Sequence, residues 1–88
     1  MKRKDNSVLK KIGNRWMILP LSDHNISCDV ILYTNEVGAT IYNALENETT
    51  VDEILTKILS EFDVEESRAR ADLEAFIKSM KEKGLLND

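Results

Sequence analysis

The 88-residue chain is 42% hydrophobic and 32% charged, with one proline and three glycines. That composition fits one globular domain and excludes a disordered or repetitive segment. The formal charge is −4 and there is one cysteine, which leaves no internal disulfide and no thiolate metal cluster. No apolar run reaches membrane-spanning length, and no apolar signal core follows the basic start Met1-Lys2-Arg3-Lys4. A single domain over residues 1–88 is expected, in the cytoplasm and away from a membrane. Charge is segregated. Residues 1–15 hold six Lys and Arg against one Asp, a net of +5, and the remainder holds six against fifteen, a net of −9. Residues 1–6 read as a flexible basic tail.

Taken in chain order, Ser7–Ile12 and Arg15–Leu19 flank Gly13-Asn14, a two-residue hairpin signal in which glycine supplies the positive φ such turns need. The apolar run Trp16-Met17-Ile18-Leu19 places the second strand centrally, and Pro20 ends it. A polar loop, Leu21–Asn25, carries the only histidine, His24. Ile26–Tyr33 reads as a third strand. Ile26, Cys28, Val30 and Leu32 alternate onto one face, with Ser27, Asp29, Ile31 and Tyr33 on the other. The second face begins polar and ends apolar, as on a half-exposed edge strand.

Three helix patterns follow. Asn35 is placed as an N-cap with Glu36 in the first turn, and Val37, Ile41, Ala44 and Leu45 share one face. Gly38 in that first turn weakens the helix by about 1 kcal/mol relative to alanine, which suggests a close backbone approach to a neighbouring element. Thr50-Val51-Asp52-Glu53 matches a capping box, followed by the stripe Ile54, Leu55, Ile58, Leu59 and Phe62. Asp63 with Glu66 repeats the capping logic for a third helix, Val64–Lys83, whose buried face is Ala69, Leu73, Phe76, Ile77 and Met80. Gly84 suits the C′ position, and Leu85-Leu86 can fold back onto the core. The expected fold is α+β, a winged-helix-like βββααα module with a three-stranded antiparallel sheet.

Chemistry is sparse. His24 is alone in a loop, and Cys28 lies on an apolar strand face, where cysteine behaves as a small hydrophobe. No second ligand stands at metal spacing and there is no phosphate loop. The carboxylates at helix starts are explained by the helix dipole. The reading is therefore not an enzyme, with no catalytic residue, cofactor or metal. DNA binding is also disfavoured. The third helix carries five positive and five negative charges, whereas a groove-reading helix adds to a basic footprint.

The ordered set of segments resembles the PqqD family, the small proteins also described as RiPP recognition elements. It consists of Val30-Ile31-Leu32-Tyr33 running into Thr34-Asn35-Glu36-Val37-Gly38, then Thr50-Val51-Asp52-Glu53-Ile54, then Phe76-Ile77 and Gly84-Leu85-Leu86. The likeness covers roughly residues 8–86, although the family's glycine before the second helix is here Glu46-Asn47-Glu48. The resemblance implies a peptide chaperone. Such a domain binds the leader of a ribosomally made precursor as an added strand beside the third strand, under the third helix. It presents the precursor to a modifying enzyme, a radical SAM maturase in many cases and in pyrroloquinoline quinone biosynthesis among other pathways. The peptide edge would be Cys28, Asp29, Val30, Ile31, Leu32 and Tyr33, and the pocket wall Arg68, Ala69, Asp72, Leu73, Phe76 and Ile77. Of these, Leu73 and Ile77 suit plain core better, and Arg68 equally suits a surface pair with Asp72. Such an edge implies a monomer or a weak homodimer. The alternative is an acidic winged-helix protein for protein–protein assembly or transcription control.

Overall fold

The computed structural model describes residues 1–21 and 31–87. Its elements are β1 (Lys2–Arg3), β2 (Ser7–Ile12), β3 (Arg15–Pro20), β4 (Leu32–Thr34), α1 (Glu36–Ala44), α2 (Val51–Glu61), α3 (Glu66–Glu82) and β5 (Leu86–Asn87). The antiparallel sheet β2-β3-β4 has β3 at its centre, and β1 and β5 form a separate two-stranded ribbon. The expected order of three strands and three helices is borne out.

Local chemistry accounts for the joints. Ile12 pairs with Arg15, so Gly13-Asn14 is the whole loop. Gly13 has φ +61° and among the described residues no non-glycine has positive φ, which is the type II′ pattern with glycine first. Asn35 caps α1, its Oδ1 accepting from the Gly38 amide at 3.0 Å. Thr50 Oγ1 accepts from the Glu53 amide at 3.2 Å. The return half of that capping box takes a different form, because Thr49 Oγ1 donates to the Glu53 carboxylate at 2.9 Å. Gly84, at φ +71°, closes α3. The Gly84 amide donates to Lys81 O at 3.0 Å and the Leu85 amide to Met80 O at 2.9 Å, the paired bonds of a Schellman motif.

Two expectations are corrected, and a third is tested only at its end. The helix α3 starts at Glu66 with Glu65 at the N-cap position and no side-chain cap bond, so Asp63 does not play that part. The third strand is described only as Leu32–Thr34. Ile31 is half-buried and precedes it, and residues 26–30 lie outside the described residues. The basic start is also tied down. The Arg3 amide donates to Leu45 O at 2.8 Å and the Lys4 amide to Leu85 O at 2.9 Å. The Met1 ammonium bonds Glu48 and, at 2.8 Å, Thr49 O. Arg3 Nε donates to Tyr42 O at 3.2 Å, and its guanidinium lies 4.3 Å from the centroid of the Tyr42 ring. A cation here also meets the negative end of the α1 dipole. One charge that suggested a solvated tail, that of Arg3, therefore meets a carbonyl at the end of α1, and backbone amides hold the rest of the segment.

The core lies between the inner face of the sheet and the three helices. Ile18, Ile41, Leu45, Ile54, Ile58, Leu73, Met80 and Leu85 are fully buried, and burial of each such side chain contributes about 1.5–3 kcal/mol before entropy is counted. Leu9 and Leu32 pack on this cluster from the sheet. Tyr42 crosses the same core and shares a 2.8 Å hydrogen bond between its hydroxyl and that of Ser7, both buried. Leu85 and Leu86 close the core from below, as expected for the segment after Gly84.

Candidate peptide-binding groove

The strand β4 stands at one edge of the sheet, with β3 its partner among the described residues through Trp16–Thr34, Met17–Tyr33 and Ile18–Leu32. An edge strand offers a row of backbone donors and acceptors to any extended segment laid beside it. Chain direction then turns sharply, with Asn35 capping α1 directly after Thr34.

That sharp turn depends on Gly38. A Cβ at this position would lie 2.8 Å from Thr34 Cβ and 3.0 Å from Thr34 Cγ2, with Oγ1 closer still. The absence of a side chain lets the first turn of α1 sit against the end of β4. A groove of about 350 Å³ opens at this corner, lined by Thr34, Asn35, Val37, Gly38 and Ile41 on one side and Arg68, Asp72 and Phe76 on the other. The lining mixes apolar Val37, Ile41 and Phe76 with polar Thr34, Asn35, Arg68 and Asp72. Asn35 is engaged in capping, and Arg68 and Asp72 are paired at 3.9 Å with side chains 82% and 66% exposed. Such an exposed i,i+4 pair contributes only a few tenths of a kcal/mol. Arg70 reaches Asp52 at 3.5 Å and ties α3 to α2.

The sequence-predicted site divides into four groups. Arg68, Asp72 and Phe76 line the groove. Ala69, Leu73 and Ile77 are buried in the core, Leu73 completely, so their wall role is indirect: they hold α3 in place. In β4, Leu32 packs inward, whereas Tyr33 is 53% exposed, its ring 4.9 Å from the Arg15 guanidinium. Ile31 lies just before the strand, and Cys28, Asp29 and Val30, like His24, lie outside the described residues. Sequence reasoning missed the near wall of Thr34, Asn35, Val37, Gly38 and Ile41. Gly38 carried the signal, since a glycine inside a first helical turn marks close approach. The remaining four read as the residue after a strand, a cap and a helix face. Among the described residues no cluster of three His, Cys, Asp or Glu could hold a metal.

Residues 18–86 match the model of the family described as coenzyme PQQ synthesis protein D (PqqD). The chain belongs to the PqqD family. Two solved structures share the fold of this PqqD-family chain. The first is TbiB1 in complex with the TbiA(beta) leader peptide, at 26% identity and a TM-score of 0.72, covering 99% of this chain and 95% of that one. The second is lasso peptide synthetase B1 complexed with the leader peptide, at 18% identity and a TM-score of 0.70, covering 99% and 96%. No curated protein matches the chain. Among the described residues, no helix is long and apolar enough to cross a membrane.

Proposed function

We propose that this domain binds the leader of a ribosomally made precursor peptide as a fourth strand beside β4 and presents it, without catalysis of its own, to a modifying enzyme in the cytoplasm. The observation that carries the reading is an edge of β4 unpaired among the described residues, beside a groove whose far wall is α3. In strand addition, backbone bonds supply affinity and pockets for alternate side chains supply specificity. An added strand would send every second side chain toward Val37, Ile41 and Phe76 in the groove. The side chains between them would point to the opposite face, beside Tyr33. Arg68 and Asp72 offer one cation and one anion, already paired, that a leader residue of either sign can recruit. The leader complex of TbiB1, over nearly the whole length of both chains, and the family itself support the same reading. A radical SAM maturase is the receiving enzyme we favour, in the pyrroloquinoline quinone pathway or another peptide pathway.

The test is a titration of the ¹⁵N-labelled protein with the leader segments of precursor peptides encoded near it. The expected result is saturable shifts at Ile31–Thr34, at Val37 and Gly38 and along 68–76. Shifts confined to α2 or to the Gly13-Asn14 turn would overturn the site, and no saturable shift with any of these leaders would overturn the function.

A further inference from the structure

We infer that the outer face of the sheet is the docking surface for the enzyme that receives the peptide, and that it meets a patch on that enzyme with an apolar centre and a rim of carboxylates. The inference rests on the peptide-presenting reading above. Cross-strand partners share a face of an antiparallel sheet. The pairs Val8–Leu19, Lys10–Met17 and Ile12–Arg15, continued by Met17–Tyr33, therefore lie together, opposite the face that carries the buried Ile18. None of these side chains belongs to the core cluster or packs against it. Ile12 and Tyr33 are 63% and 53% exposed, and Val8, Met17 and Leu19 are half-buried. A partly exposed apolar face mixed with charge is the composition of an interaction site.

Charge points to the occupant. Residues 7–20 contain Lys10, Lys11 and Arg15 and no Asp or Glu. Lys11 belongs to the inner face, 5.3 Å from the centroid of the Trp16 ring, which leaves Lys10 and Arg15 on the outer one. Neither has a salt-bridge partner among the described residues. Arg15 is held over Tyr33 at 4.9 Å, which fixes the guanidinium and leaves its charge unneutralised. A second copy of this chain fits badly. Two-fold pairing of this face with itself would oppose Lys10 and Arg15 to their own kind. A head-to-tail contact with the acidic side fares no better, since residues 36–61 hold six Asp and Glu and one Lys but none of the exposed large hydrophobic residues.

Geometry separates this face from the groove. Thr34, which lines the groove, pairs with Trp16 and so belongs to the inner face. Peptide and enzyme can then be held at once, the enzyme reading the leader side chains that emerge beside Tyr33. The family match begins at Ile18, so the corner formed by Lys10, Ile12 and Arg15 lies outside it. A partner-specific contact is suited to such a position.

The experiment measures binding of the purified modifying enzyme encoded beside this chain, with and without bound leader, to the wild type, to Ile12→Asp and to the double variant Lys10→Glu/Arg15→Glu. Ile12 and both cations are exposed, and folding is checked by the ¹⁵N spectrum. Enzyme affinity is expected to fall at least tenfold in each variant, while leader affinity stays within twofold. Unchanged enzyme affinity in both variants, or no enzyme binding by the leader-loaded wild type, overturns the inference. So does a homodimer in sedimentation velocity that the double variant dissolves, since the occupant would then be a second copy. Failure of the leader to bind the wild type is read separately and counts against the peptide-presenting function itself.

Discussion

Replacing Gly38 by alanine sets two known effects against each other. Alanine is a better helix former than glycine by about 1 kcal/mol, and on propensity alone Gly38→Ala stabilises α1. Against it stands the corner with β4. The new Cβ would lie 2.8 Å from Thr34 Cβ and 3.0 Å from Thr34 Cγ2. Rotation about χ1 of Thr34 moves Oγ1 and Cγ2 but leaves its Cβ where it is, so the clash is relieved only by shifting the backbone at the β4–α1 joint. Overpacking of this kind costs about 1–3 kcal/mol, and the upper end applies because the 2.8 Å contact is with Thr34 Cβ, which is fixed to the main chain. The net expectation is a destabilisation of about 1–2 kcal/mol, or a fall in melting temperature of roughly 4–16 °C for a domain this small. Chemical denaturation of four proteins completes a double-mutant cycle: wild type, Gly38→Ala, Thr34→Gly and the double variant. The two substitutions should couple favourably by about 1 kcal/mol or more, since Thr34→Gly removes the atoms that clash. Thr34→Ala should rescue much less, because it keeps the Cβ. A Gly38→Ala protein as stable as the wild type, or more stable, would refute the close-approach argument and leave propensity in charge.

Other perturbations separate core, cap and site. Tyr42→Phe leaves the buried Ser7 hydroxyl without its 2.8 Å partner and should cost about 1–2 kcal/mol in urea denaturation, with most of that recovered when Ser7→Ala is added. Thr50→Ala removes the cap on the Glu53 amide and should cost about 1 kcal/mol, seen as faster amide exchange in the first turn of α2. Arg68→Ala should change stability by less than about 0.5 kcal/mol, given the exposure of its pair with Asp72, so any larger loss of leader affinity by calorimetry reports a direct contact. On α3, Leu73→Ala should cost about 2–5 kcal/mol of stability, because Leu73 is fully buried. Phe76→Ala, in the groove wall, should lower leader affinity at least tenfold in a protein that remains folded.

Where helical periodicity and turn chemistry act locally, the residues were legible. The Gly13-Asn14 turn, the Asn35 and Thr50 caps, the buried stripe Ala69–Leu73–Ile77–Met80 and the glycine closing α3 each follow from forces within a few residues. Residues 1–4 were misread because their pairing is non-local. The carbonyls that Arg3 and Lys4 meet, on Leu45 and Leu85, are about 40 and 80 positions away, and no pattern within a basic pentapeptide signals them. The N-terminus of α3 was misread for a different reason. Asp63 and Glu66 satisfy the spacing of a cap, but Phe62 is already extended at φ −127° and ψ 146°, and the helix begins only after Glu65. The groove was half legible. Its far wall could be read as one face of α3, but its near wall is made where β4 meets α1, and only Gly38 hinted at that contact.

The size of the edge decides what each half of the site can contribute. The described part of β4 spans three residues, so an added strand gains only a few ladder bonds there, each contributing about 1 kcal/mol net. Micromolar binding requires about 8 kcal/mol, in addition to the ordering cost of an extended peptide. The ladder alone falls short, and it is indifferent to sequence, since every non-proline residue offers the same backbone groups. The balance must come from side chains entering the groove between α1 and α3, where apolar burial returns about 25 cal/mol per Å². On the proposed strand-addition reading, selection of a precursor would then fall to Val37, Ile41, Phe76 and the paired Arg68 and Asp72. Exchanging those residues should redirect the domain to another leader while β4, the Gly38 joint and the core carry the fold unchanged.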